Sequence, residues 1–316
     1  MLRSGIIGLG RMAWSYDGGR DRGDGRSLTH ASCIARHPAT QLVAGYDPDD
    51  TRHAEFTAAT DVPAIETLDG FLAEGLDLVT IASPTEFHAE HVRKSIEAGV
   101  RFVWLEKPPT LSLVEHREIL ALAEASGTRI AVNYPRRFMP QYAALAERTR
   151  RLRPAAVQVD YSRSLRVNGV HLIDQVGMLF PDCPAPEPDW VMAVDAENRS
   201  FAFFCAGVPV VVTGLALPYH CIEMRLVDEE GRASVVRGGL EAWVEPRVGN
   251  PDYPGFYHLG PSQPLVPPDA CQQAMHGASY ACLVNLVDPA VELVSSLRTA
   301  LFAAEMLARV EDALRV

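Results

Sequence analysis

The chain has 316 residues, 47% of them apolar and 22% charged, enough to bury a core without structural metal. Its net charge of −11 argues against a nucleic-acid binder, which needs a basic footprint to neutralise phosphates. No charged leader followed by an apolar core opens the sequence, and a cytoplasmic location is the default expectation.

In chain order, strand-like runs at residues 4–8, 41–46, 78–82, 100–105 and 129–132 alternate with helix-like stretches at 27–37, 49–59, 86–98 and 113–126. Gly99 and Gly127 follow two of these helices, where a left-handed cap is expected. Alternation of this kind implies right-handed crossovers and a parallel sheet covered on both faces. The fold class is therefore α/β, with a doubly wound Rossmann domain over residues 1–133.

After Pro135 the pattern changes. A helix near 141–150, a strand at 156–161 and a helix at 171–180 precede strand-like runs at 190–194, 201–205, 208–213, 221–227 and 233–237. The uncharged run 201–219 is interrupted by Gly207, Pro209, Gly214 and Pro218, which reads as two strands joined at Ala206-Gly207 rather than a membrane span. Residues 246–268 are rich in Pro and Gly and read as a surface loop. Helices near 268–287 and 294–314 follow. Residues 134–316 are expected to form an α+β domain with an open sheet packed on helices.

Six cysteines (Cys33, Cys183, Cys205, Cys221, Cys271 and Cys282) show neither a C-x-x-C pair nor zinc-like spacing, so reduced thiols and no metal are expected. Lys94 and Lys107 are the only lysines among many arginines. A lysine at a motif position is therefore informative.

Gly8-Leu9-Gly10-Arg11-Met12-Ala13 fits G-x-G-x-x-A directly after the first strand. The first glycine permits the tight turn, the second lets a pyrophosphate approach, and the small sixth residue lets helix and strand pack. Asp47 ends the second strand, where a carboxylate meets the ribose hydroxyls of NAD and repels the 2′-phosphate of NADP. NAD is expected, with NADP as the alternative. A turn-capping role for Asp47 is the other reading. The wide spacing from Gly10 to Asp47 is explained by an insertion at residues 14–26, read either as a lid, with Thr29 and His30 beyond it near the nicotinamide, or as a mobile surface loop.

With Ser83-Pro84-Thr85 and His88, Glu106-Lys107-Pro108, and Gly169-Val170-His171-Leu172-Ile173-Asp174, the sequence resembles the Gfo/Idh/MocA oxidoreductase family. The resemblance runs from residue 4 to about 180. It implies a Rossmann domain followed by a domain with a large open, mostly antiparallel sheet that also serves homo-oligomer formation, and a sugar or cyclitol bound between the domains. It also places Ser83 and Pro84 against the nicotinamide ribose, with His88 and Glu106 among the cofactor-binding residues. Lys107 follows a strand's carboxyl end, where an ammonium can stabilise a developing alkoxide. His171 suits general acid/base work near its ordinary pKa of ~6.5. Asp174, three residues on, shares its helical face and can orient the ring or the substrate.

One position departs from the family. Val167 stands where sugar and cyclitol dehydrogenases of this group commonly carry Asp, and the nearest polar group is Asn168, which can hold a hydroxyl but cannot act as a base. Arg136, Arg137, Arg163 and Arg166 flank this segment and suit an anionic group; Arg137 and Arg166 are the substrate-binding candidates. The expected function is hydride transfer between nicotinamide and a carbinol carbon of a sugar, cyclitol, sugar derivative or related small metabolite. Two alternatives stand beside it: transient use of NAD in a net non-redox elimination or cleavage, and a non-catalytic NAD-binding regulatory protein.

Overall fold

A computed structural model describes residues 1–21 and 23–314. The chain divides into two compact units, Met1–Pro135 with His276–Ala304 and Arg136–Met275 with Glu305–Val316.

In the first unit, β1 (Leu2–Ile7), β2 (Thr40–Tyr46), β3 (Leu78–Ile81), β4 (Phe102–Leu105) and β5 (Arg129–Val132) form a wholly parallel sheet in the order β2-β1-β3-β4-β5. The connecting helices are α1 (His30–Arg36), α2 (Thr51–Thr60), α3 (Leu68–Leu72), α4 (His88–Glu97) and α5 (Leu113–Ser126). Every residue of β3 and β4 is buried, as expected for strands covered on both faces. Ser112 caps the start of α5 by accepting from the Glu115 N–H, and Gly127 closes it at φ 74°. The strand order reverses beside β1, so a switch point lies where the carboxyl ends of β1 and β3 meet. Pairing aligns Ile7 with Ile81, Ile81 with Leu105, and Leu105 with Val132. Gly8, Ala82, Glu106 and Asn133 therefore emerge along one edge.

The inserted segment is anchored. The buried Asp17 carboxylate accepts from Gly19 N (3.0 Å), Leu28 N (2.8 Å), Thr29 Oγ1 (2.6 Å) and Ser32 Oγ (2.5 Å). Burial pushes its pKa up, but the donors from Ser32, Thr29, Leu28 and Gly19 outweigh that and hold it below the usual range. The insertion is thus pinned to the start of α1, which begins at His30 after a Thr29 cap.

The second unit contains α6 (Pro140–Leu152), β6 (Ala156–Ser162), α7 (Val170–Leu179), β7 (Trp190–Ala193), β8 (Arg199–Cys205), β9 (Val208–Leu215), β10 (Ile222–Asp228), β11 (Gly231–Val236), β12 (Glu241–Gly249), β13 (Tyr257–Leu259) and β14 (Gln263–Pro264). Among the described residues they form a nine-stranded sheet, β13-β12-β11-β10-β6-β9-β8-β7 with β14 beside β12, antiparallel except for β6 with β9. In β9 buried residues alternate with more exposed ones, the pattern of a sheet with one face on the core. Residues 201–219 do contain two strands joined at Ala206-Gly207, both at positive φ. Residues 246–268 are not simply a loop. The end of β12 pairs with β13 and β14 there, because strand partners override the local Pro and Gly content.

α8 (Pro268–Val287) and α9 (Leu297–Asp312) follow. Residues 276–304, expected to belong with everything after 134, instead complete the first unit. Ser295 O accepts from Val132 N at 2.8 Å, and Ser295 Oγ donates to Val132 O at 2.7 Å. Arg129 donates to the carbonyls of Leu286, Asn285, Asp288 and Val291, and His116 Nε2 meets Leu297 O at 2.8 Å. These bonds cover the outer edge of β5.

The cysteine expectation also needs correcting. Cys183 and Cys205 form a disulfide with Cα atoms 6.0 Å apart; Cys33, Cys221, Cys271 and Cys282 are free. A gap of 22 residues carries no sign of that pairing. Among the described residues, no helix is long and apolar enough to cross a membrane.

Candidate functional site

The glycine turn sits at the switch point. Gly8 has φ 87°, and a Cβ there would lie 2.5 Å from Ser83 N and 2.6 Å from Ser83 Cα. Only glycine fits between the ends of β1 and β3. Gly10 is extended, and a Cβ on it would meet nothing closer than Arg52 Nη1 at 3.8 Å, so its face is open to an approaching group. A π-helical turn, Arg11–Ser15, follows, with Ala13 fully buried and Arg11 and Met12 exposed.

Asp47 is 4% exposed. Its Oδ2 accepts from Leu9 N at 2.8 Å and from Arg52 Nη1 at 3.1 Å, and its Oδ1 accepts from Asp49 N at 3.0 Å. It therefore caps its own turn and braces the glycine loop. Arg52, absent from the sequence reading, stands over both Asp47 and Gly10. Its only signal was an arginine five residues after the strand-end acid.

Past β3, Ser83 Oγ lies 2.9 Å from His91 Nδ1, whose pKa burial drives down to about 4. Pro84 leads into a short 3-10 turn, Thr85–Phe87. His88 departs from the expected cofactor-facing role. It is 1% exposed, with Nε2 2.9 Å from Ser83 O and Nδ1 3.1 Å from Pro108 O. Burial lowers its pKa despite those carbonyls. Its ring ties the turn after β3 to the loop after β4.

Glu106 is likewise buried beneath the edge. Its Oε1 accepts from Asn133 Nδ2 at 2.7 Å and lies 2.8 Å from His30 Nε2, while its Oε2 accepts from Lys107 N at 3.2 Å. Burial opposes ionisation, but His30, Lys107 and Asn133 together hold the carboxyl down at about 2. An ionised Glu106 fixes the backbone of half-buried Lys107, and the Lys107–Pro108 peptide is cis. Asn133 was missed in the sequence; its place just past the last strand of the parallel sheet was the available sign.

In the second unit, His171 lies in the first turn of α7 and is 8% exposed. Asp174, fully buried, is gripped by Arg137: Nε donates to Oδ2 at 2.8 Å and Oδ1 at 3.1 Å, and Nη2 to Oδ1 at 2.9 Å. Burial pushes the Asp174 pKa up against the pull of Arg137. The two groups expected to meet substrate thus hold each other. Arg166, the other substrate candidate, pairs with Glu311 at 2.5 Å. Asn168 donates Nδ2 to Ser162 O at 2.7 Å and lies 3.4 Å from His220 Nδ1, a residue the sequence reading did not single out. Val167 is exposed. Among the described residues, no three His, Cys, Asp or Glu side chains are grouped to hold a metal.

Residues 2–134 match the family described as oxidoreductases with an NAD-binding Rossmann fold, GFO_IDH_MocA. An uncharacterised oxidoreductase of Synechocystis is 32% identical over 120 residues, 37% of this chain and 32% of that protein. An inositol 2-dehydrogenase of Rhizobium meliloti is 23% identical over 245 residues, 76% of this chain and 69% of its own length. Against the first of these relatives, the chain spans about a third of the length. A UDP-N-acetylglucosamine 3-dehydrogenase from Acidithiobacillus ferrooxidans shares the fold with a TM-score of 0.72 at 18% identity, over 99% of this chain and 97% of that one. The glycine turn, the Glu-Lys-Pro edge and these likenesses agree: the chain belongs to the Gfo/Idh/MocA oxidoreductase family.

Proposed function

We propose that the chain is an NAD(P)-dependent oxidoreductase transferring a hydride between nicotinamide and a carbinol carbon of a sugar, cyclitol or related small metabolite. The observation carrying this reading is the edge of the parallel sheet, where Gly8, Ser83 and Lys107 follow the aligned ends of β1, β3 and β4. The open face of Gly10 and the strand-end Asp47 fit a dinucleotide. NAD is favoured because Asp47 repels a 2′-phosphate, although Arg52 at 3.1 Å offsets part of that charge.

When bound, the nicotinamide supplies the hydride acceptor or donor. Lys107 hydrogen-bonds the substrate oxygen and stabilises negative charge as it develops. Glu106, kept ionised by its three donors, holds Lys107 in place rather than touching the reacting atoms. His171 exchanges the hydroxyl proton. Asn168 and the Arg137–Asp174 pair fix the start of α7.

Calorimetric titration with NAD, NADH, NADP and NADPH, after checking for cofactor retained through purification, tests the reading. Preference for NAD(H) supports Asp47 and is followed by a screen of sugars and cyclitols for hydride transfer. Binding of neither pair, with none retained, overturns it.

A further inference from the structure

The sequence offered four arginines around the start of α7, and the structure separates them. Arg137 and Arg166 are bound to Asp174 and Glu311. Among the described residues, neither Arg136 nor Arg163 forms an ion pair. This is unusual in a chain of net charge −11, where Arg148, Arg150, Arg151, Arg225 and Arg232 all face carboxylates.

Both remaining arginines converge on His220. Ser162, the last residue of β6, accepts from Cys221 N at 2.9 Å and donates to Tyr219 O at 2.7 Å through its hydroxyl. That clamp sets Arg163, the next residue, beside the exposed His220. Asn168 joins the same junction through Ser162 O and His220 Nδ1. Arg136 is half-buried beside the phenol of buried Tyr142, and its Nε is buried without a hydrogen-bond partner. Burial lowers the His220 pKa, and the charges of Arg163 and Arg136 lower it further, so both guanidinium groups are near enough to act on the ring.

The backbone here is also strained. Arg163 (φ 65°) and Ser164 (φ 84°) are consecutive non-glycine residues in left-handed space, held by Asn198 Oδ1 accepting from Ser164 N at 3.0 Å. Such conformations persist where the surroundings enforce them and gather at ligand sites. Two unneutralised guanidinium groups, an imidazole and a side-chain amide at one junction are a donor set for an oxyanion.

We infer that Arg136, Arg163, His220 and Asn168 form a recognition site for an oxyanion, carboxylate or phosphate, carried by the substrate. The second unit then selects acidic sugars or sugar phosphates over neutral ones. This substrate class rests on the oxidoreductase reading; the oxyanion site itself does not.

The test is an NMR titration of the His220 imidazole in the full chain, its signal assigned with a His220→Asn variant, with inorganic phosphate added at constant ionic strength. Phosphate is expected to raise the His220 pKa by roughly one unit, since a neighbouring anion favours the imidazolium. In an Arg136→Gln/Arg163→Gln double variant, the ring should start from a higher pKa and no longer respond. An unmoved His220 in the native chain overturns the site. So does an equal shift in the double variant, which means an adventitious ion only. D-glucuronate, D-glucose 6-phosphate and D-glucose are then tested for displacing phosphate. Displacement by glucuronate alone identifies a carboxylate, by the 6-phosphate alone a phosphate, and by both a general oxyanion site. Displacement by none, or equally by D-glucose, overturns the selection for charged sugars. Calorimetry with NAD on the same native protein separates the two claims: absent NAD binding sinks the oxidoreductase reading while a phosphate response leaves the oxyanion site standing.

Discussion

The carboxyl edge of the five-stranded sheet and the approach to α7 both bury a carboxylate, yet they hold it by different means. At the edge, Glu106 has three donors from three separate elements, and its pKa falls to about 2. Before α7, fully buried Asp174 has mainly one partner, Arg137, and burial carries its pKa upward. The number of donors, more than depth, decides the direction. A carboxylate held from three sides is a rigid support for its neighbour; one held by a single fork depends on that fork.

The sharpest way to break this contrast is Arg137→Ala. Removing the sole guanidinium leaves Asp174 buried and uncompensated, and a stability loss of about 3–5 kcal/mol is expected in denaturant titration. A loss under ~1 kcal/mol would show that Asp174 is supported from elsewhere.

Lys107→Ala tests the edge by rate. Turnover on whichever sugar or cyclitol the native chain oxidises should fall about 10²–10³-fold, equivalent to roughly 3–4 kcal/mol, with NAD affinity retained. Near-native turnover would remove Lys107 from the mechanism.

Glu106→Gln probes the same edge by pH. Its folded pKa lies below the ordinary 4.5, so its contribution is fully present above that pH and is lost as pH falls toward 2. The native chain should lose on the order of 3 kcal/mol across that window, and the variant should lack this component. Melting temperatures that fall in parallel for both proteins between pH 4.5 and 2 would count against it.

The smallest effect is expected from Arg166→Ala. Its pair with Glu311 is about a third exposed, and such pairs contribute within ~1 kcal/mol. A larger loss would mean that Arg166 does more than pair at the surface.

The same contrast governs what the sequence could reveal. The first edge was legible because its residues follow strand ends: Gly8, Asp47, Ser83 and Lys107 occupy positions set by backbone hydrogen bonding, and glycine and strand patterns mark those ends. The surroundings of α7 were not legible. Which of four arginines meets a carboxylate depends on pairs such as Arg137 with Asp174 and Arg166 with Glu311, 37 and 145 residues apart. His220 and the Cys183–Cys205 bond were hidden for the same reason. His88 and Glu106 lie between these cases. Their positions were readable, but that they face inward as braces emerged only from their carbonyl and amide partners.

One further feature bears on how the molecule is made. The outer edge of β5 is closed by Ser295, Leu297 and the carbonyls of residues 285–291, all synthesised more than 150 residues after Val132. The nascent N-terminal half therefore leaves the ribosome with an unfinished sheet margin, and it waits through the whole second unit for its last stitch. A chain ended at residue 135 would carry Arg129 and His116 without their native acceptors and an open strand able to pair with other copies. In this protein the nucleotide-binding half is not a detachable module; its completion depends on the final stretch of translation.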